Sequence, residues 1–166
     1  MMKKLLMGSL LLIFAFTACK KDSASTPDEA GTTNTWKFTV NGRTYSGSIL
    51  SGVYTTIMGP NLLIAGKLNN TDTLFSISIQ FPGSSIETGS YKTSDLGTSM
   101  KLMAPNGDVV WAAIPLEDYP VTTIKVTSAD AATKTVTGTF SGQAYNFDGI
   151  TKDVTDGSFT ATYTTL

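Results

Sequence analysis

Residues 35–45 read TWKFTVNGRTY, and this stretch decides the fold class. Trp36, Phe38 and Val40 alternate with polar residues, so an extended segment would have one apolar face and one polar face. The pair Asn41-Gly42 follows directly. A type I′ turn requires positive φ at both central residues, and Asn-Gly is the pair that best accepts this. The stretch therefore predicts an antiparallel hairpin whose second strand covers residues 43–50.

The same two-residue period recurs along the chain. In TLFSISIQF, residues 73–81, large apolar side chains alternate with Ser and Gln, which is typical of a strand with one buried face. A second Asn-Gly turn lies within residues 105–108. Further strands are predicted over residues 61–68, 100–104, 109–114, 121–127, 135–147 and 157–164. About ten strands with short turns predict an all-β domain, either an antiparallel β-sandwich or a closed or partly open β-barrel.

Composition narrows the class of protein. The chain has 166 residues, a formal net charge of -1 and 15% charged residues. An average soluble protein has about 25% charged residues. A near-neutral chain of this kind lacks the basic face that nucleic-acid binding requires, so we expect no nucleic-acid partner.

The amino-terminal residues have the pattern of an export signal. Lys3 and Lys4 precede an apolar stretch over residues 5–16, which is shorter than the ~20 residues of a transmembrane helix. Small residues then lead to Cys19, the sole cysteine of the sequence. A plain signal peptide ending near a cysteine, or a cytosolic protein with an apolar amino-terminal helix, would be the alternatives.

Phe16, Thr17, Ala18 and Cys19 resemble the lipobox of bacterial lipoproteins, with Phe16 in place of the usual Leu. The resemblance implies that Cys19 is lipidated and becomes the first mature residue, so the protein's partner is a membrane. Residues 1–18 are thus predicted to be a signal peptide. Polar residues without hydrophobic periodicity predict a flexible tether over 19–34, and the alternating pattern predicts a single all-β domain over 35–166. Lys-Lys-Asp after the cysteine loosely resembles export signals of surface lipoproteins in the Bacteroidota. An outer-membrane lipoprotein is therefore expected, in either the periplasmic or the surface leaflet.

The domain itself resembles an uncharacterised family of small Bacteroidota lipoproteins. The matching segments include WKFTVNGRTYSG, LLIAGKL with LFSISIQF, the ETGSY turn and, near the end, DGSFTATY. They span residues 35–166 and consist of turn glycines and alternating apolar residues. The resemblance implies the fold and the location, and it carries no activity.

The sequence offers little for catalysis. It contains no histidine, so the usual general base, zinc ligand and partner of a nucleophilic serine are missing. Glu87, Glu117 and Asp118 remain as carboxylates for a glycan hydrolase, although solvated loop positions are the plainer interpretation. We therefore expect no catalytic residue, no cofactor and no enzyme activity.

Two binding hypotheses stay open. Asp148, Asp153 and Asp156 fall in a predicted loop, FDGITKDVTDG, and oxygen ligands from one loop suit calcium, although the spacing is not that of an EF-hand. An ordinary hairpin loop is the simpler interpretation, and no metal site is predicted there.

Aromatic residues give the second hypothesis. Tyr119, Trp111 and Tyr54 could form a platform for a sugar or a peptide, with Tyr119 the best exposed candidate, between Asp118 and Pro120. For Trp111, which alternates with Val109 and Ala113, a core position is the plainer interpretation. The sequence as a whole predicts a non-enzymatic, lipid-anchored binding or structural module, with a carboxylate hydrolase or a barrel carrier of a small apolar ligand as alternatives.

Overall fold

The computed structural model describes residues 34–166, which form eleven β-strands and no helix. The strands are β1 (Thr35–Val40), β2 (Arg43–Thr55), β3 (Asn61–Leu68), β4 (Leu74–Gln80), β5 (Gly89–Lys92), β6 (Ser99–Met103), β7 (Val109–Ala113), β8 (Thr122–Asp130), β9 (Thr135–Tyr145), β10 (Thr151–Thr162) and β11 (Thr164–Thr165). Within the same residues, no helix has the length and hydropathy that crossing a bilayer requires.

Eight antiparallel strands close into a barrel, in the order β10-β1-β2-β3-β4-β6-β7-β9, with β9 returning to β10. The barrel closes because β9 is long enough to pair with β10 along one edge and with both β8 and β7 along the other. One edge of β9 pairs with β10 over almost its whole length, while the opposite edge meets β8 over residues 135–142 and β7 at Tyr145. The predicted all-β class is confirmed, and of the two architectures left open by the sequence the chain adopts the barrel.

Three strands lie outside the closed ring. β8 and β5 extend the sheet from β9, and the two-residue β11 pairs in parallel with β2. The hairpin between β1 and β2 turns at Asn41 and Gly42, which have φ of 51° and 74°, as the Asn-Gly pair predicts. The strand over residues 61–68 has the predicted bounds.

The barrel interior is filled by aromatic rings. The ring of Trp36 stacks on that of Phe75 with centroids 4.1 Å apart, and Phe38 and Phe140 lie 6.1 Å from Phe75. All four side chains are almost fully buried. Large interlocking rings of this kind supply much of the apolar burial in a small β-domain, since each buries about 150–250 Å².

The predicted loop over residues 148–156 is wrong in its second half. β10 begins at Thr151, where Lys152 pairs with Ala144 and Asp153 with Gln143. A bulge between Val154 and Gly157 interrupts the two-residue alternation of the strand. The side chains on either side of the bulge are mostly polar, so this part of β10 has no alternating apolar pattern that would indicate a strand. Further differences are smaller: β2 continues to Thr55 and β8 to Asp130, β9 ends at Tyr145, and the short β5 is not predicted.

The signal peptide, the lipobox Phe16, Thr17 and Ala18, the lipidation site Cys19 and the tether as far as residue 33 all lie outside the described residues.

Candidate functional site

A cleft of about 300 Å³ lies where β9 ends and the chain turns into β10. Its walls come from two loops. The first loop, between β7 and β8, contributes Asp118 and Tyr119, and the second, between β9 and β10, contributes Asn146 and Phe147. Because β9 pairs with β7 at Ala112 and Tyr145, the two loops leave the barrel side by side.

Tyr119 is held in place by Tyr145. The two rings meet edge to face, with centroids 4.9 Å apart and an interplanar angle of 74°. Asp118 precedes Tyr119 with φ of 61°, a left-handed conformation that Asp tolerates better than most residues. Burial, followed by the proximity of Tyr119, raises the pKa of the Tyr145 hydroxyl above its ordinary value. Tyr119 keeps 43% of its surface exposed, so part of its ring is available to a ligand.

Phe147 forms the second aromatic wall. Its backbone N–H donates to the carbonyl of Val109 at 2.9 Å, which ties the loop to β7. The amide oxygen of Asn146 accepts a hydrogen bond from the N–H of Ile150 at 2.8 Å and closes the turn. With its backbone fixed in this way, the Phe147 side chain is still 71% exposed. With Tyr119 it gives the cleft two exposed aromatic rings, and it is grouped apolar surface of this kind that marks ligand-binding grooves.

The side chains that line the cleft are suited to binding a ligand that has both apolar and hydroxyl groups. Tyr119 and Phe147 present apolar ring surface, while the Asp118 carboxylate and the Asn146 amide can exchange hydrogen bonds with hydroxyl groups. A saccharide ring has both features, an apolar face of C–H groups and a rim of hydroxyls. The cleft is open and shallow, which suits a chain-like or partly exposed ligand.

Trp111 does not join Tyr119. It lies opposite the fully buried Leu102 on β6, is half-buried and packs against the core. Its indole Nε1–H donates to the hydroxyl of Tyr45 at 3.2 Å. The structure therefore gives Trp111 a place in the wall of the barrel, next to the β1–β2 hairpin.

Tyr54 lies at the other end of the barrel. Its ring is buried and meets Phe81 and Tyr163 edge to face, at 6.4 and 6.5 Å. Within residues 34–166, its buried hydroxyl has no hydrogen-bond partner. Together with Tyr163 and Lys134 it lines a separate, smaller cleft of about 240 Å³. The three aromatic residues singled out from the sequence thus occupy three different places.

The carboxylates are also apart. Asp118 lines the aromatic cleft and Glu117 is its exposed neighbour. Glu87 precedes β5, where its backbone carbonyl accepts a hydrogen bond from the Tyr91 hydroxyl at 2.9 Å. Since β5 pairs with β8 from Gly89 opposite Val126, Glu87 lies near the end of the barrel that is remote from Asp118.

The three aspartates for which the sequence leaves calcium binding open have different partners. Asp148 accepts from the side chain of Asn146, Asp153 from Gln143, and Asp156 from Thr155. Asp153 and Asp156 belong to strand β10 and not to the loop that the sequence predicted. Within residues 34–166, no three His, Cys, Asp or Glu side chains are grouped as a metal site would require.

A third cleft, about 470 Å³, lies beside the β3–β4 turn and is broad and open. The Lys67 ammonium and the Asp72 carboxylate, which are 2.6 Å apart, form an ion pair in its wall. These two charges are paired with each other, and the residues that line this cleft include no aromatic side chain.

Sequence reasoning missed Tyr145 and Phe147 as parts of a site, because both end a segment that was interpreted as a single long strand. A signal was present: Phe147 stands inside the polar run Asn146–Gly149, where an apolar side chain has no core to enter. Comparisons of this chain with protein-family models, with curated proteins and with solved structures give no match.

Proposed function

We propose that this protein is a lipid-anchored lipoprotein of the cell envelope, whose barrel is a non-enzymatic binding module for saccharides. The observation that carries the binding proposal is the pair of exposed rings, Tyr119 and Phe147, on two adjoining loops beside polar Asp118 and Asn146. The lipobox resemblance around Cys19 carries the anchoring proposal.

The position of the cleft supports this combination. β1 begins at Thr35, which pairs with Thr160 near one end of β10, while Thr151 at the other end of β10 lines the cleft. Nine residues separate the two positions along a strand, which corresponds to about 30 Å. In a domain tethered through its amino terminus, the cleft would thus lie at the end remote from the tether, where an extracellular or periplasmic glycan could reach it.

A barrel carrier of an apolar ligand has less support. Such a carrier needs an enclosed apolar cavity, and the stacked rings of Trp36, Phe75 and Phe140 occupy the centre of this barrel. The glycan hydrolase keeps one supporting observation, since Asp118 lies in the aromatic cleft with Glu117 beside it.

The binding proposal is tested by titrating the full chain, in detergent, with a panel of oligosaccharides from envelope and plant polysaccharides. Tyr119→Ala and Phe147→Ala are expected to weaken binding of any responding glycan by about tenfold, equivalent to about 1.4 kcal/mol. Leu63→Ala, which also removes an exposed apolar side chain but lies on β3, is the matched control and should bind normally. Equal affinity of all four proteins would overturn the assignment of the cleft.

The same samples decide between binding and hydrolysis. Incubation with each responding glycan and measurement of new reducing ends should give no product. If product forms, and Asp118→Ala or Glu117→Ala abolishes it while Glu87→Ala does not, the hydrolase replaces the binding module.

Anchoring is tested separately by growth with labelled palmitate. We expect label in the wild-type chain and none in Cys19→Ser, together with release of Cys19→Ser from the membrane fraction. Retention of the variant in that fraction would contradict the anchor.

A further inference from the structure

The three most exposed large apolar side chains of residues 34–166 lie together at one end of the barrel. Ile57, Met58 and Leu96 are 81%, 92% and 86% exposed. Ile57 and Met58 form the tip of the β2–β3 connection, and Leu96 is at the tip of the turn before β6. We refer to these three residues as the apolar tips.

The Gln80 side chain brings the two tips together. The Cα of Gly59, just after Met58, lies so close to Gln80 that an added Cβ would be 2.8 Å from its Nε2. Gly97, just after Leu96, lies equally close on the other side, where a Cβ would be 2.9 Å from Oε1. The carbonyl of Gly97 also accepts a hydrogen bond of 2.8 Å from the Ser78 hydroxyl on β4. The two turns that carry the apolar tips therefore lie on either side of the Gln80 side chain, and the Leu96 turn is hydrogen-bonded to β4.

The backbone conformations of the two turns hold these side chains out of the core. Gly59 and Gly97 have φ of 99° and 85°, so each tip turns sharply through a glycine instead of folding its apolar residue inward. Leaving three such side chains in water is unfavourable, because burial of each would remove a large apolar area from solvent. An arrangement of this kind is typical of a surface that is covered in use.

The position of the first described residues indicates what covers the apolar tips. The carbonyl of Asn34 accepts a hydrogen bond from the N–H of Ile49, so the described part of the chain begins beside β2. From Ile49, β2 continues for six more residues to Thr55, toward the apolar tips. The tips thus lie at the end of the barrel where the described chain begins, opposite the Tyr119 cleft. Cys19 is fifteen positions before Asn34, which is a reach of about 50 Å at most.

We infer that the apolar tips insert into the interfacial region of the same membrane that carries the lipid anchor. The occupant of the surface is phospholipid. Anchor and tips then form two attachments, which fix the orientation of the barrel and point the Tyr119 cleft outward. This inference rests on the proposed lipidation of Cys19.

The test uses the full lipidated chain in vesicles of phosphatidylethanolamine and phosphatidylglycerol. Met58→Cys and Leu96→Cys each receive an environment-sensitive maleimide dye, and Phe147→Cys, at the opposite end and also largely exposed, is the matched control. The substituted side chains are exposed, so the fold should persist, and a thermal melt of each variant confirms this. Wild-type protein is treated with the same dye, because an acylated Cys19 cannot react.

We expect the dyes at 58 and 96 to shift to shorter wavelength and to lose about half of their emission to nitroxide-labelled lipids, as residues buried in the headgroup region do. They should be protected from aqueous iodide at least about twofold relative to the dye at 147. Dyes at 58 and 96 that iodide quenches as strongly as the dye at 147 would overturn the inference. So would protection that persists in detergent and grows with protein concentration, since this would indicate a second copy of the chain as the occupant.

The wild-type control separates the two proposals. Labelling of the wild-type chain would show a free Cys19 thiol and would overturn both the anchor and the inference. An unlabelled wild-type chain with water-exposed tips would overturn the inference alone.

Discussion

Trp36 stacks on Phe75 across the barrel interior, with ring centroids 4.1 Å apart and an interplanar angle of 13°. The stack depends on Gly66 of β3, where an added Cβ would lie 2.8 Å from the Trp36 Nε1 and 2.7 Å from the carbonyl oxygen of Ser48. The aromatic core therefore requires glycine at position 66, where any side chain would collide with Trp36 or with the backbone of β2.

Gly66→Ala should destabilise the domain by about 1–3 kcal/mol, because the extra methyl group forces the Trp36 ring or the β2–β3 pairing to move. Gly89→Ala is the control, since the three atoms nearest to its Cβ would all belong to the Tyr91 side chain, the first at 3.3 Å. Urea unfolding of the two variants beside wild type measures the difference. Equal midpoints for both variants would show that the core adapts freely around residue 66.

Tyr45→Phe removes the acceptor of the Trp111 indole N–H, which it holds at 3.2 Å. Because Tyr45 is buried, the loss should cost about 0.5–1.5 kcal/mol, and the emission of Trp111 should shift. Tyr91→Phe loses a hydrogen bond to the Glu87 carbonyl at an exposed position and should change stability less. A Tyr45→Phe protein with wild-type stability would mean that this bond makes no net contribution.

Asp130 links the stability of the domain to pH. Its carboxylate accepts hydrogen bonds from the backbone N–H groups of Thr133 and Ala132, and these hold its pKa below the ordinary value of 3.8. A lowered pKa in the folded state contributes stability above the unfolded pKa, and this contribution is lost as the pH falls below 3.8 toward the folded pKa.

Asp130→Asn keeps an acceptor oxygen but cannot titrate, so its stability should depend less on pH than that of wild type as the pH falls below 3.8. Asp130→Ala loses the acceptor and should be less stable than Asp130→Asn at pH 7. Thermal melts from pH 2.5 to 7 supply both comparisons. If the melting temperatures of wild type and Asp130→Asn change equally with pH, Asp130 does not contribute to the loss of stability in acid.

Asn34 joins the beginning of the described chain to its last long strand. Its Oδ1 accepts hydrogen bonds from the N–H of Thr162 at 2.8 Å and from the hydroxyl of Thr162 at 3.0 Å, and its φ is 66°. Asn34→Ala should cost about 2 kcal/mol, because it loses the bonds and places Ala in a left-handed conformation.

Asn34→Gly separates the two contributions. Glycine accepts the positive φ, so only the hydrogen bonds are lost and the cost should fall to about 1 kcal/mol. Urea unfolding again gives the values. If Ala and Gly destabilise equally, the conformation of residue 34 is not under strain.

Much of the fold could be predicted from the sequence because alternation and turn chemistry are local. The Asn41-Gly42 hairpin and β3 follow from residues that are neighbours in the chain. β10 could not be recognised over residues 151–156, because the Val154–Gly157 bulge breaks the two-residue period and Lys152 and Asp153 are polar. Its pairing with β9 supplies the strand geometry that its side chains do not indicate.

The candidate site was predictable in part. Tyr119 stands between Asp118 and Pro120, and this context alone indicates an exposed loop. Its partners Tyr145 and Phe147 are more than twenty residues away in the sequence and were assigned to a strand. The two loops are brought together by the pairing of Ala112 with Tyr145 and by the contact between the Tyr119 and Tyr145 rings, which only the tertiary structure shows.

By itself, the sequence determined the all-β class, the main hairpins and the inward face of each alternating strand, because these depend on side-chain periodicity and on the φ preferences of Asn and Gly. Only the tertiary structure decided that the sheet closes into a barrel, since closure depends on β9 sharing one edge between β7 and β8. It also decided that the Tyr119 cleft and the apolar tips occupy opposite ends. Those positions follow from strand register, which couples distant residues through backbone hydrogen bonds and is not encoded at any single position.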